Sequence, residues 1–165
     1  MEKPQIGIVM GSASDRSIME EAGEILKRFK IPYEMTVASA HRSPERTKEY
    51  ARTAHKRGLK VIIAGAGGAA HLAGAIAAET VLPVIGVPID SSPFKGIDAL
   101  LATVQMPGGV PVATVAVGKT GAKNAGILAV EILALGQPEL HKRLEEYRGE
   151  MARHVEEAAK DLSKG

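Results

Sequence analysis

Short apolar runs alternate along this chain with longer segments whose hydrophobic residues recur at helical spacing. The runs rich in branched residues predict strands at residues 6–10, 33–38, 60–64, 84–87 and 112–117. Between the first two runs, one apolar face repeats at a period near 3.6, which predicts an amphipathic helix. That face consists of Ile18, Met19, Ala22, Ile25, Leu26 and Phe29.

The alternation of strand and helix predicts the α/β fold class, with a central parallel sheet between two layers of helices. The central strands are apolar on both faces, as expected where helices cover both sides of a sheet. We therefore predict a three-layer, flavodoxin-like, doubly wound sandwich. Such folds bind ligands beyond the C-terminal ends of the strands, where the winding reverses.

A long C-terminal helix is predicted after the sheet, at residues 137–163. It is mostly charged but carries one apolar stripe, and two interpretations of that stripe stay open. The helix either packs across its own sheet or contacts a neighbouring subunit. In both cases the chain as a whole, residues 1–165, is predicted to form a single α/β domain. The stripe consists of Leu140, Leu144, Tyr147, Met151, Val155 and Leu162.

Composition limits the function more than the fold. Hydrophobic residues make up 45% of the 165 residues but aromatic ones only 3%, so few side chains are available to stack on nucleic-acid bases. The 21 basic and 19 acidic residues are interspersed, which predicts neither a nucleic acid nor a membrane as partner. There is no cysteine, so thiol nucleophiles and zinc thiolate sites are excluded. The N-terminal residues form no apolar signal segment, which predicts a cytoplasmic location.

The most informative of three polar turns is the hexapeptide Ser-Ala-His-Arg-Ser-Pro at residues 39–44, between a predicted strand and a predicted helix. His41 can transfer protons near neutral pH, and the guanidinium of Arg42 matches phosphate oxygens. The helix start adds free N–H groups that favour an anion. The motif therefore indicates proton transfer on a phosphorylated small molecule. Ser43 and Pro44 also have a structural interpretation, as N-cap and first helical residue.

The turn after the first strand offers a second set of ligand-binding groups. Gly11 lets the backbone approach a ligand, and Ser12 and Ser14 provide hydroxyls. The carboxylate of Asp15 suits the hydroxyls of a ribose. The structural alternative is that Ser14 or Asp15 only caps the following helix.

The third turn, residues 64–71, contains the pattern G-x-G-x-x-A, and Asp90 follows at about the spacing of a dinucleotide-binding fingerprint. This pattern favours an NAD(P)-binding protein as one alternative function. However, the fingerprint normally occupies the first strand-to-helix turn of its fold, and here it occupies the third.

Taken in order, five motifs closely resemble the class I N5-carboxyaminoimidazole ribonucleotide mutases, the PurE family of purine biosynthesis. The resemblance runs from about Ile6 to Leu135, with one visible departure at Ala73, where the family usually has proline. The motifs lie at residues 11–15, 39–44, 64–72, 84–88 and 104–111.

This resemblance implies a cofactor-independent isomerase. It would move a carboxylate from the exocyclic amine of a ribonucleotide to C4 of the imidazole, giving 4-carboxy-5-aminoimidazole ribonucleotide. By matching positions, His41 is the general acid and base, while Ser12, Ser39 and Arg42 hold the 5′-phosphate. Asp15 binds the ribose. The other predicted substrate-binding residues are Ser14, Gly65, Ala66, Gly67, Gly68, His71 and Leu72.

The resemblance further implies that neither a metal nor another cofactor takes part, that the partner is a small ribonucleotide, and that the protein is a homo-octamer. Two alternatives to the mutase stay open beside the NAD(P)-binding protein. A direct aminoimidazole ribonucleotide carboxylase that uses carbon dioxide would need the same acid-base residue and phosphate site. A non-catalytic sensor would bind the nucleotide without converting it.

Overall fold

The computed structural model describes residues 3–163. Within that range, no helix is both long and apolar enough to cross a membrane. The strands and helices, in chain order, are β1 (Ile6–Met10), α1 (Arg16–Arg28), β2 (Tyr33–Val37), α2 (Pro44–Arg57), β3 (Val61–Gly67), α3 (Leu72–Ala77), β4 (Val84–Ile89), α4 (Ile97–Val104), β5 (Ala113–Thr114), α5 (Gly118–Ala134) and α6 (Pro138–Leu162).

The five strands form one parallel sheet in the order β2-β1-β3-β4-β5. This order confirms the predicted flavodoxin-like, doubly wound fold. β1 lies between β2 and β3, because Ile6 pairs with Tyr33 on one side and with Val61 on the other. The winding reverses between β1 and β3, so a crevice for a ligand is expected at the C-terminal ends of these strands.

Helices cover both faces of the sheet, and β3 shows how its residues alternate between them. Ile62 and Ala64 belong to a buried cluster with residues of α2 and α3. Gly65 faces the opposite layer, where it lies against Met19 of α1. Fully burying a side chain such as Ile62 contributes about 1.5–3 kcal/mol to the hydrophobic stabilisation of the fold.

The strand predictions differ from the structure mainly at the later strands. β3 continues beyond the predicted end at residue 64 because Ala66 and Gly67 pair with Pro88 and Ile89 of β4. β5 is only two residues long, whereas residues 112–117 were predicted, because only Ala113 and Thr114 pair with β4. The apolar face of α1 is confirmed, with Met19 among its buried side chains.

The chain divides after Val130 into two compact units. The sheet lies in the first unit. In the second, the predicted C-terminal helix is present as α6, where Leu144 is buried and Arg148 pairs with Glu131 at 3.1 Å. Every described residue from Met151 onward is exposed. The single-domain organisation and the contact of this helix with a neighbouring subunit stay predictions.

Candidate active site

The turn after β1 is built around the Ser12 hydroxyl. Ser12 caps a short 3-10 helix at residues 13–15, and its Oγ accepts hydrogen bonds from the backbone N–H of Ser14 (3.4 Å) and from the Ser14 hydroxyl (2.9 Å). Asp15 occupies the N-cap position of α1 but makes no capping hydrogen bond with its side chain. The alternative that Ser14 or Asp15 serves only to cap the following helix is therefore not supported by these hydrogen bonds.

Asp15 is a buried carboxyl beside the strand ends, with 5% of its surface exposed. Burial raises its pKa above the ordinary value, because the charged form loses its hydration. Hydrogen bonds from the Ser12 backbone and the Ser14 side chain oppose this rise, as does the positive charge of Arg42. A buried acceptor of this kind suits a ligand that brings its own hydroxyl donors.

The turn after β2 fixes the guanidinium of Arg42 between two strand ends. Arg42 Nη2 donates to the Gly11 carbonyl at 3.1 Å, and its Nε lies 3.5 Å from Ser39 Oγ. Ser39 Oγ also accepts a hydrogen bond from the Arg42 backbone N–H at 3.1 Å. Among the described residues, Nη1 has no hydrogen-bond partner. The turn thus presents a fixed cation with one donor end available to an anion.

Ser43 stabilises the shape of this turn. It occupies the N-cap position of α2, as predicted, with Pro44 next to it, but its hydroxyl makes no cap hydrogen bond. The hydroxyl instead donates to the Ser39 carbonyl (3.1 Å) and accepts from the Ser39 N–H (3.0 Å). Ser43 therefore closes the loop that carries His41 and Arg42.

Two imidazoles meet where the second and third turns converge. His41 Nε2 and His71 Nδ1 are 2.8 Å apart, and the rings stand edge to face with an interplanar angle of 86°. Both side chains are exposed to the crevice. Since this distance requires one ring to donate and the other to accept, the pair shares a single proton across the contact.

The third turn brings the glycine-rich segment over the ends of β3 and β4. Gly65 lies inside β3, where a Cβ would overlap the sulfur of Met19, so it serves helix packing. A dinucleotide-binding fingerprint needs its first glycine in the turn itself, and the position of Gly65 therefore argues against that alternative. Gly68 has φ +59°, and the N–H groups of Gly68 and Ala69 make no backbone hydrogen bonds with other described residues.

A cavity of about 290 Å³ lies between these turns at the C-terminal edge of the sheet. It brings together most of the residues predicted from the sequence, including His41 and His71. Gly65 and Gly68 do not line it. The predicted residues in its wall are Ser12, Ser14, Asp15, Ser39, His41, Arg42, Ala66, Gly67, His71 and Leu72.

Four further residues line the wall: Gly11, whose backbone was already predicted to approach a ligand, and Ala40, Ala69 and Ser91, which were not predicted as site residues. The first three lie within the turns already described. Ser91 is different, because it follows β4, whose end carries no predicted site residue. The one available signal was its place directly beyond a buried parallel strand, where ligands of this fold class bind.

Comparisons with known proteins show which family the chain resembles along most of its length. A model of the family described as AIR carboxylase matches residues 5–154. An N5-carboxyaminoimidazole ribonucleotide mutase of Pyrococcus horikoshii is 58% identical over 161 residues, 98% of this chain and 90% of that protein. A phosphoribosylaminoimidazole carboxylase of Schizosaccharomyces pombe is 56% identical over 164 residues, 99% of this chain but 29% of that protein. The crystal structure of Treponema denticola PurE has a TM-score of 0.84 at 29% identity, covering 93% of this chain and 95% of the other.

Proposed function

The chain belongs to the AIR carboxylase family, and on that premise we propose that it is an N5-carboxyaminoimidazole ribonucleotide mutase. The enzyme is an isomerase that moves the carboxylate of its substrate from the exocyclic amine to C4 of the imidazole. The observation that carries this function is the His41–His71 contact inside a cavity that also holds the fixed guanidinium of Arg42.

The phosphate of the substrate binds at the β1 and β2 ends of the cavity. Arg42 offers Nη1 there, and the hydroxyls of Ser12 and Ser39 lie in the same wall. Charge-assisted hydrogen bonds of this type are roughly twice as strong as neutral ones. Asp15 accepts hydrogen bonds from the ribose hydroxyls, which explains an acid beside an anion site.

His41 moves the proton in both halves of the reaction. As an imidazolium it protonates the exocyclic nitrogen while the nitrogen–carboxyl bond breaks, which leaves the amine and carbon dioxide. C4 then attacks the carbon dioxide and forms the new carbon–carbon bond. Neutral His41 removes the C4 proton, which restores the aromatic ring and the imidazolium. His71 is a positioning residue that holds the His41 ring through the 2.8 Å contact.

The glycine-rich turn holds the carboxylate while it migrates. The free N–H group of Ala69, which lines the cavity, supports this role, since an anion can accept a hydrogen bond from it. Small side chains at Ala66 and Gly67 let the backbone come close to a flat heterocycle. This chemistry needs no metal and no other cofactor from the protein.

The test is a direct assay of product formation. Aminoimidazole ribonucleotide and bicarbonate with a carbamate-forming enzyme supply the substrate in situ, and the 4-carboxylated product is followed against buffer alone, because the carbamate also decays spontaneously. Product formation above the buffer rate supports the mutase. No acceleration over buffer would reject it.

A second candidate is a direct carboxylase, favoured by the name of the Schizosaccharomyces pombe relative. The two are separated by supplying aminoimidazole ribonucleotide with dissolved carbon dioxide and no carbamate-forming enzyme. A mutase forms product rapidly only from the carbamate. A direct carboxylase forms it as fast from carbon dioxide.

We further propose that the protein acts in the cytoplasm as a homo-octamer. Support for assembly comes from an apolar face that is exposed in the chain, on and just before α4. Its residues are spaced three or four apart, so they form one stripe: Phe94, Ile97, Leu101 and Val104. Exposed apolar patches of this kind mark protein interfaces.

A further inference from the structure

Ser91 contributes a free hydroxyl to the cavity. It lies two residues beyond the end of β4 and lines the cavity wall. Its side chain makes no hydrogen bond to any other residue between 3 and 163, whereas the neighbouring Ser92 hydroxyl accepts one from the Phe94 N–H. A serine engaged only in loop structure would use its hydroxyl as Ser92 does.

The absence of a side chain at Gly67 makes room for this hydroxyl. A Cβ at Gly67 would overlap Ser91 Oγ and would lie 3.1 Å from the Ile89 carbonyl oxygen. Ser91 therefore sits directly over the end of β3, next to the turn whose free N–H groups include that of Ala69. The hydroxyl of Ser91 and the N–H group of Ala69 belong to the same end of the cavity.

The strand order indicates which part of a ribonucleotide reaches this end. Neighbouring strands are about 4.8 Å apart, so the end of β4 lies roughly 10 Å from the end of β1 and roughly 14 Å from that of β2. Ser12 and Ser39, the phosphate-binding residues, follow β1 and β2. An extended ribonucleotide spans a comparable distance from its phosphate to the far edge of its heterocycle, so that edge lies near Ser91.

We propose that Ser91 is a substrate-binding residue whose hydroxyl donates a hydrogen bond to the carboxylate on the imidazole ring. This inference rests on the proposed function, since it assigns the ring end of the same substrate. Ser91 thereby lets the site distinguish the carboxylated nucleotide from the uncarboxylated one.

The test compares three ligands on wild type and Ser91→Ala by calorimetry. Losing a hydrogen bond to a charged group weakens binding about 10-fold or more, so the 4-carboxylated nucleotide should bind Ser91→Ala at least that much more weakly. Aminoimidazole ribonucleotide and ribose 5-phosphate lack the carboxylate and should bind both proteins equally. Ser92→Ala is the matched control, because it disturbs the same loop without touching the cavity.

Three outcomes would overturn the inference, and a fourth concerns the proposed function. Equal binding of the carboxylated nucleotide to wild type and Ser91→Ala overturns the inference, as does an equal loss for all three ligands, which would indicate a general disturbance of the site. A loss of the same size in Ser92→Ala also overturns it. If wild type itself binds neither nucleotide, the proposed function fails, and that result is separate from any effect of Ser91→Ala.

Discussion

At the scale of single residues, the chemistry depends on two imidazoles held in contact. One nitrogen of each ring takes part in the 2.8 Å contact, so His71 holds the His41 ring in a fixed orientation before substrate binds. The ring keeps Nδ1 outside that contact. A neutral His41 is then available to take a proton back, which is what a reaction with no net proton change requires.

Replacing the imidazole of His41 should remove turnover and leave the fold unchanged. We expect His41→Asn to lower kcat about 10²–10⁴-fold, the usual contribution of a positioned acid-base group, because no other donor occupies its place. Affinity for aminoimidazole ribonucleotide should change little. His55→Asn, an exposed histidine on α2, is the matched control and should keep full activity. An active His41→Asn enzyme would require a different proton carrier.

The buried carboxyl of Asp15 should cost stability in return for function. Its folded-state pKa lies above the ordinary value of 3.8, so between these two pKa values the folded state holds a proton that the unfolded state has lost. The free energy of unfolding therefore falls as the pH rises from 3.8 through the folded-state pKa. We expect Asp15→Asn to melt a few degrees higher than wild type at pH 7, where about 2–4 °C corresponds to about 1 kcal/mol.

Two further measurements check this interpretation of Asp15. The gap between the melting temperatures should narrow below pH 3.8, where wild type is protonated too, and circular dichroism melts across pH will report it. Ribose 5-phosphate should bind Asp15→Asn more weakly. A variant that melts lower than wild type at pH 7 would mean that the Ser12, Ser14 and Arg42 interactions outweigh burial.

At the scale of elements, the sequence predicts best where apolar residues mark a strand or helix on their own. β1 and α1 follow directly from their apolar patterns, and the turns that follow β1 and β2 were predicted to hold the site. The end of β3 was missed, because Ala66 and Gly67 carry almost no hydrophobic signal and are held by pairing with β4. Local patterns cannot show pairing between distant segments.

The same limit applies to the site residues. His41 and Arg42 are visible in the sequence because their chemistry has no structural explanation at a strand end. Ser91 lies in a stretch that resembles an ordinary loop, and only the contact with Gly67 of another strand indicates its position. Gly65 was predicted to bind substrate because it shares a motif with Gly67, yet alternation along β3 turns it toward α1.

The close approach of the ends of β3 and β4 predicts that substitutions at Gly67 and Ser91 have coupled effects on stability. Gly67→Ala should be destabilising, by about 1–3 kcal/mol as for other overpacked sites, because its Cβ collides with the Ser91 side chain. Adding Ser91→Ala removes the hydroxyl from the collision, so the double variant should be more stable than Gly67→Ala alone. Urea unfolding of the four proteins measures this coupling. Additive losses would mean that the Ile89 carbonyl, not Ser91, limits the space.

At the scale of the whole molecule, the chain leaves apolar surface that its own elements do not cover. The α4 stripe includes Phe94 at 70% exposure and Leu101 at 60%. In the second unit, Val155 on α6 is 70% exposed. Burying such side chains against other copies would recover about 25 cal/mol per Å² of apolar surface. The proposed octamer would therefore explain why these apolar side chains occur at positions that the single chain leaves exposed.

A charge on the α4 stripe should prevent assembly without unfolding the chain. Leu101 is exposed, and exposed substitutions usually change the free energy of unfolding by no more than about 0.5 kcal/mol. We therefore expect an isolated Leu101→Glu chain to be about as stable as an isolated wild-type chain. In an interface, however, the same carboxylate would be buried without a partner. Light scattering after gel filtration should then give the mass of eight chains for wild type and a smaller mass for Leu101→Glu. Ser17→Glu, at an exposed polar position of α1, is the control for added charge. An intact octamer of Leu101→Glu would exclude the α4 stripe as an interface, and a monomeric wild type would reject the octamer itself.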